Sequence, residues 1–177
     1  GGPGGPPVQS PPAAAAAQEP STNHAVIRAS WSAVTRDLQA VGNLFYSNLF
    51  AIAPDLAING PFKGVDTQKQ AMRLMQMLDA AIKLLDQPDL LIASLSELGL
   101  RHVRYGVWDP AGYDLVGQVL IQTLRQGLGD KFDSALEAEW LRLYKTIKLV
   151  MLQGANSPAG KSLRIHYEQQ QKKKQEK

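Results

Sequence analysis

The chain has 177 residues, of which 44% are apolar, 20% are charged and none is cysteine. That is enough apolar material for one domain with a full core, and it excludes disulfides, thiolate nucleophiles, Cys-ligated zinc and iron–sulfur clusters. The formal charge of +3 is local: from Ser157 onward six Lys/Arg oppose two Glu, so everything before it carries −1 and lacks the basic footprint of a nucleic-acid-binding domain.

Residues 1 to about 20 are almost all Gly, Pro, Ala, Ser and Gln, a leader too poor in large apolar side chains to offset chain entropy, and it is expected to be disordered. From Thr22, Val26, Ile27, Trp31 and Val34 recur at helical spacing, and Leu38, Val41, Leu44, Phe45, Leu49 and Phe50 continue it. Two helices are predicted, the second ending before Pro54. Between Pro54 and Val65 lies an irregular connection, with an Asn-Gly-Pro turn signal beside an isolated aromatic, Phe62, that needs burial. Thr67-Gln68-Lys69-Gln70 fits a capping box opening a helix to about Leu85, in which Gln70, Leu74, Leu78 and Ala81 share a face.

The stretch from Pro88 to Trp108 predicts a further helix, closed by Gly106 and followed by Asp109-Pro110, an N-cap and first-turn pair. Val116, Leu120, Thr123 and Leu124 mark the next, stopping near Gly127 or Gly129. Ser134-x-x-Glu137 is a second capping-box candidate, introducing Leu136, Trp140, Leu143, Tyr144, Ile147 and Met151. Past Gly154 the chain turns polar, with a Gln/Lys-rich end that has little to pack with. About six main helices without a strand pattern imply an all-α domain packed helix on helix. No apolar run reaches the roughly 18 residues of a membrane span, and no basic-then-apolar leader signals export, so the expected location is the cytoplasm.

One histidine stands out. Leu95, Leu98 and His102 fall at i, i+3 and i+7, placing the imidazole on the apolar face of its helix. Such a ring is either a core residue satisfied by a hydrogen bond or a ligand. His24 and His166 lie at the edges of the domain, so no histidine cluster suits zinc, and no nucleophile elbow or thiol supports a hydrolytic triad. A single axial ligand is what remains. Gln70 and Leu74 on one helix, Tyr46 on another and Phe62 in the bend are candidates to line a pocket opposite His102 with the polar donors and apolar walls a haem requires, the alternatives being a capping role for Gln70 and a core packing role for Tyr46. Met72, Met75 and Met77 read as packing.

At these residues the sequence resembles the globins, specifically single-domain bacterial-type haemoglobins and the globin domains of flavohaemoglobins, with neuroglobins more distant. The likeness runs from Thr22 to about Met151. Its motifs are Leu-Phe-Tyr-Ser-Asn-Leu-Phe at 44–50, Phe62-Lys63-Gly64, Arg73-Leu74-Met75-Gln76, the ten residues from Leu98 to Val107 around His102, and Tyr113-Asp114-Leu115-Val116-Gly117. The resemblance implies a globin fold and a haem b cofactor. It makes His102 the proximal iron ligand and Phe62 the aromatic packed on the haem. Tyr46 and Gln70 become the distal residues beside bound ligand, and Leu74 a residue of the ligand side. Arg73 is a candidate partner for a haem propionate, and Leu98 and Val107 flank the proximal histidine.

Two departures bear on function. Flavohaemoglobins continue into flavin and nicotinamide domains, whereas this sequence shows no Rossmann-like Gly-x-Gly-x-x-Gly segment, so any reductase is expected to be separate. Their proximal histidine is joined to a tyrosine and a glutamate; Tyr113 matches the tyrosine, but Ala155 stands at the glutamate's place. The expected organisation is a leader at 1–20, a globin domain at 21–154 and a polar tail or linker at 155–177. The expected function is reversible oxygen binding through ferrous iron, for storage, transport or sensing, with carbon monoxide and nitric oxide as further ligands. The alternatives are nitric oxide dioxygenation with a separate reductase and the globin sensor domain of a longer signalling protein, and no catalytic residue is assigned.

Overall fold

The computed structural model describes residues 22–177; the expected disordered leader lies outside the described residues. The described residues form helices α1 (His24–Val34), α2 (Leu38–Ile52), α3 (Asp55–Ile58), α4 (Thr67–Lys83), α5 (Pro88–Val103), α6 (Pro110–Leu128), α7 (Ser134–Ala155) and α8 (Pro158–Gln175). A single 3-10 turn, Gly129–Lys131, follows α6, and no strand occurs among the described residues. The all-α expectation therefore holds. The connection after Pro54, read as irregular, contains the one-turn helix α3. Among the described residues no helix is long and apolar enough to cross a membrane.

Side-chain caps start most of these helices. Asn23 accepts from the Val26 amide, Asp37 from Ala40 and Asp109 from Ala111, each satisfying a backbone donor that a helix start leaves free. Both predicted capping boxes are displaced by one residue. α4 is capped by Asp66, whose carboxylate accepts from Gln68 and Lys69, and α7 by Asp133, which accepts from Leu136. In each case a carboxylate precedes the hydroxyl residue, and its charge favours a helix N-terminus. The shift frees Gln70 from a capping role and leaves Glu137 to pair with Arg125 at 2.7 Å.

The core gathers around α7. Trp140, 1% exposed, lies 6.0 Å from the Trp31 ring of α1, and its indole N–H donates to the Ser30 hydroxyl at 2.9 Å. Trp31 in turn donates to Asp79 of α4 at 3.0 Å. Met75 is fully buried, as a packing residue should be. α4 packs chiefly on α2 and α5 on α7. The α5–α7 crossing depends on two reciprocal glycines: a Cβ at Gly99 would lie 1.9 Å from the Met151 carbonyl oxygen, and one at Gly154 would lie 2.0 Å from that of Ser96. With no side chain between them the two backbones touch, which fixes the height of α5 one turn before its histidine.

Candidate functional site

The structure arranges the residues singled out from the sequence in two clusters. The first is aromatic and is built by α2 and the bend after it. Tyr46 is buried, and its ring contacts Phe45 at 5.3 Å, Phe50 at 5.7 Å and Phe62 at 5.5 Å; Phe50 and Phe62 close the cluster at 5.7 Å. Phe62, expected to be buried, is only half-buried, packed against the core from its short connection. Burial raises the Tyr46 pKa above that of a free phenol, and a hydrogen bond with the Gln70 side chain opposes the shift. The phenol is neutral at physiological pH and keeps its proton to donate. Gln70 and Leu74 are half-buried on α4, whereas Arg73 beside them is exposed.

The second cluster surrounds His102, in the last turn of α5. Its ring is half-buried, with Leu98 and Val107 packed against the core on either side in sequence. Nδ1 lies 2.8 Å from the Leu98 carbonyl oxygen, an acceptor only, so Nδ1 carries the proton and donates it. Burial lowers the His102 pKa; the Leu98 hydrogen bond raises it and the Arg101 charge lowers it. The ring is therefore a neutral imidazole with a defined tautomer. Tyr113 lies 6.4 Å away, ring to ring; its buried hydroxyl has no hydrogen-bond partner, and burial pushes its pKa up to about 12. Ala155 is buried as well.

These donors fit a haem. A histidine whose Nδ1–H is committed to a carbonyl presents the unshared pair of Nε2, the arrangement metal-bound histidines use to fix ring and tautomer. The other two histidines are engaged elsewhere, His24 with Asp86 at 2.7 Å and His166 with Gln170 at 2.9 Å. Two open surface grooves, of about 570 and 560 Å³, lie along α6–α7 and α1–α7 and include none of the predicted site residues.

Sequence reasoning missed Phe50 as a member of the aromatic cluster, although its place four residues after Tyr46 on one helix face was a usable signal. It also missed the contacts of α8 with the turn after His102, for which no local signal exists.

A helical bundle with one inward histidine of fixed tautomer points to a class of haem-binding domains, and the comparisons specify it. The globin family model matches residues 44–151, and the chain belongs to the globin family. Haem and oxygen binding follow from that family identity. The chain is 27% identical over 141 residues to an anaerobic nitrite reductase of Arabidopsis thaliana, covering 72% of this chain and 87% of that protein. It is 26% identical over 145 residues to the neuroglobin of Tetraodon nigroviridis, covering 76% and 91%. Among solved structures, a hexacoordinated haem protein from an anhydrobiotic tardigrade aligns with a TM-score of 0.66 at 19% identity, over 74% of this chain and 91% of that one. A Drosophila melanogaster globin aligns at 0.65 and 17%, over 73% and 91%. These relatives are a plant nitrite reductase, a neuroglobin, a tardigrade haem protein and an insect globin; the narrower likeness to bacterial-type haemoglobins rests on the motifs alone.

Proposed function

We propose that this globin binds oxygen reversibly in a pocket where His102 holds haem b and where Tyr46 and Gln70 face the gas. The observation that carries this reading is the 2.8 Å hydrogen bond from His102 Nδ1 to the Leu98 carbonyl, which leaves Nε2 as a ligand in a fixed orientation. When bound, haem supplies a ferrous iron that takes up diatomic gases, carbon monoxide and nitric oxide among them. The chain's own residues do the rest. Tyr46, neutral because buried, donates its hydroxyl proton toward a ligand that draws negative charge, and Gln70 both orients that hydroxyl and offers a second donor. Phe62 and Leu74 exclude water on that side, and Leu98 and Val107 do so beside the histidine. Arg73, exposed on α4, is the candidate partner for an acidic edge of the cofactor.

The globin domain of this reading spans residues 21–154, flanked by the 1–20 leader and the 155–177 segment, in a cytoplasmic protein that serves storage, transport or sensing. A second reading, favoured by the likeness to the plant nitrite reductase, is redox turnover of a nitrogen oxide at the same site: nitric oxide dioxygenation or nitrite reduction, with electrons from a separate reductase. Cycling the reduced protein between oxygen and nitrogen atmospheres separates the two. Repeated loading and release without oxidation supports the binding function. Rapid oxidation on first exposure, together with turnover of nitric oxide or nitrite when a reductase is supplied, supports the enzyme.

A further inference from the structure

The segment after Gly154, expected to have little to pack with, packs on α5 and α7 and reaches the turn that holds His102. The His102 carbonyl accepts from the amides of Tyr105 and Val107, both at 3.0 Å. Between them Gly106 takes φ +80°, and its amide donates to Val103 at 3.0 Å; the Val107 and Gly106 bonds together form a Schellman closure. A Cβ on Gly106 would lie 2.6 Å from the hydroxyl of Tyr167 on α8 and 2.7 Å from its Cζ, so the phenol sits directly against this turn. Two residues on, Trp108 meets the Tyr167 ring edge-on at 5.4 Å, and the Arg164 guanidinium lies over the indole at 4.9 Å. Arg164 is itself held by Glu168 at 3.1 Å. Contacts thus run unbroken from the backbone of His102 to α8. Beyond Tyr167, by contrast, α8 is exposed but for a half-buried Gln171.

We propose that Tyr167, assisted by Arg164, is a positioning residue for His102: through Gly106 and Trp108, α8 sets the tilt and height of the imidazole and thereby the gas affinity of the site. The inference rests on His102 being the haem ligand. α5 is fixed on its other side by the Gly99 crossing, so the turn is the part of the histidine's support that can yield. An aromatic contact of this kind changes an equilibrium that makes or breaks it by about 2- to 12-fold. Reciprocally, a gas that shifts His102 must alter the hold on α8 by the same factor as α8 alters gas binding.

The test compares full-length wild type with Tyr167→Ala, Tyr167→Phe and Arg164→Gln in the ferrous state. It reads the iron–histidine stretch by resonance Raman and carbon monoxide dissociation by stopped flow, with circular dichroism as a check of folding. Tyr167→Ala should move the stretch and change the dissociation rate by about 2- to 12-fold, Tyr167→Phe should restore both because the ring remains, and Arg164→Gln should give a smaller change in the same direction. A wild-type band left unmoved by Tyr167→Ala overturns the inference alone. If that variant fails to fold, a stretch and rate in Arg164→Gln equal to wild type do the same. A wild type that takes up no haem overturns the inference and the haem assignment together.

Discussion

Replacing Tyr46 with phenylalanine separates the chemistry of this residue from its packing. The ring is wedged among Phe45, Phe50 and Phe62 at 5.3–5.7 Å, and phenylalanine preserves those contacts. What is lost is the hydroxyl and its hydrogen bond with Gln70, a stability cost of about 1 kcal/mol that shifts Tm by a few degrees. The functional cost is larger. Oxygen held at ferrous iron draws negative charge, and a hydrogen bond to a charged acceptor contributes about 1.5–3 kcal/mol, so Tyr46→Phe should speed oxygen dissociation by roughly 10- to 100-fold. Carbon monoxide, which draws little charge, should dissociate at nearly the wild-type rate. Because burial holds the phenol pKa above its ordinary value, the wild-type oxygen rate should be flat from about pH 6 to 9. Stopped-flow mixing measures both gases. An oxygen rate equal to wild type, or equal acceleration of both gases, would show that Tyr46 only fills space.

Three further outcomes follow from the same structure. Gly99→Ala places a methyl 1.9 Å from the Met151 carbonyl and must separate α5 from α7; a loss of about 1–3 kcal/mol is expected in urea unfolding, and an unchanged midpoint would contradict the close crossing. Asp79 has its pKa lowered, first by the hydrogen bond from Lys83 and also by that from Trp31, so its stabilising effect is present above the unfolded carboxylate pKa of about 3.9 and lost as pH falls through the folded value. The Tm gap between wild type and Asp79→Asn should therefore be open at pH 7 and close below about pH 4; a gap independent of pH would refute the pairing. Finally, α4 carries no histidine, and His24 and His166 are paired elsewhere, so the ferric haem should lack a bis-histidyl electron paramagnetic resonance signature, unlike a hexacoordinate protein using two histidines. Detecting that signature would require one of these histidines to leave its partner.

Much of the fold was legible because most of the apolar residues that recur at helical spacing pack into the core, although Val26 is exposed. Ile27, Trp31, Phe45, Leu49, Leu120 and Trp140 all lie in the core. Helix starts were less so: at Asp66-Thr67 and Asp133-Ser134 two adjacent residues can both cap, and spacing to a later Gln or Glu favoured the wrong one. The histidine's face and Gly106 as the end of its helix were readable locally, since both depend on residues within two turns. The clamp on Trp108 was not, because Tyr167 lies 59 positions further along the chain and only packing brings the two rings together. The polar make-up of α8 conceals that contact, which a single tyrosine and a single arginine carry.

The most direct measurement is the coordination of haem in the purified, reduced protein, taken for wild type and for His102→Ala. Wild type should bind one haem, show an iron–histidine stretch by resonance Raman and give reversible spectral shifts with oxygen and carbon monoxide. In His102→Ala that band should vanish and most of the haem should be lost. Equal haem content and an unchanged band in the variant would contradict the account at its centre.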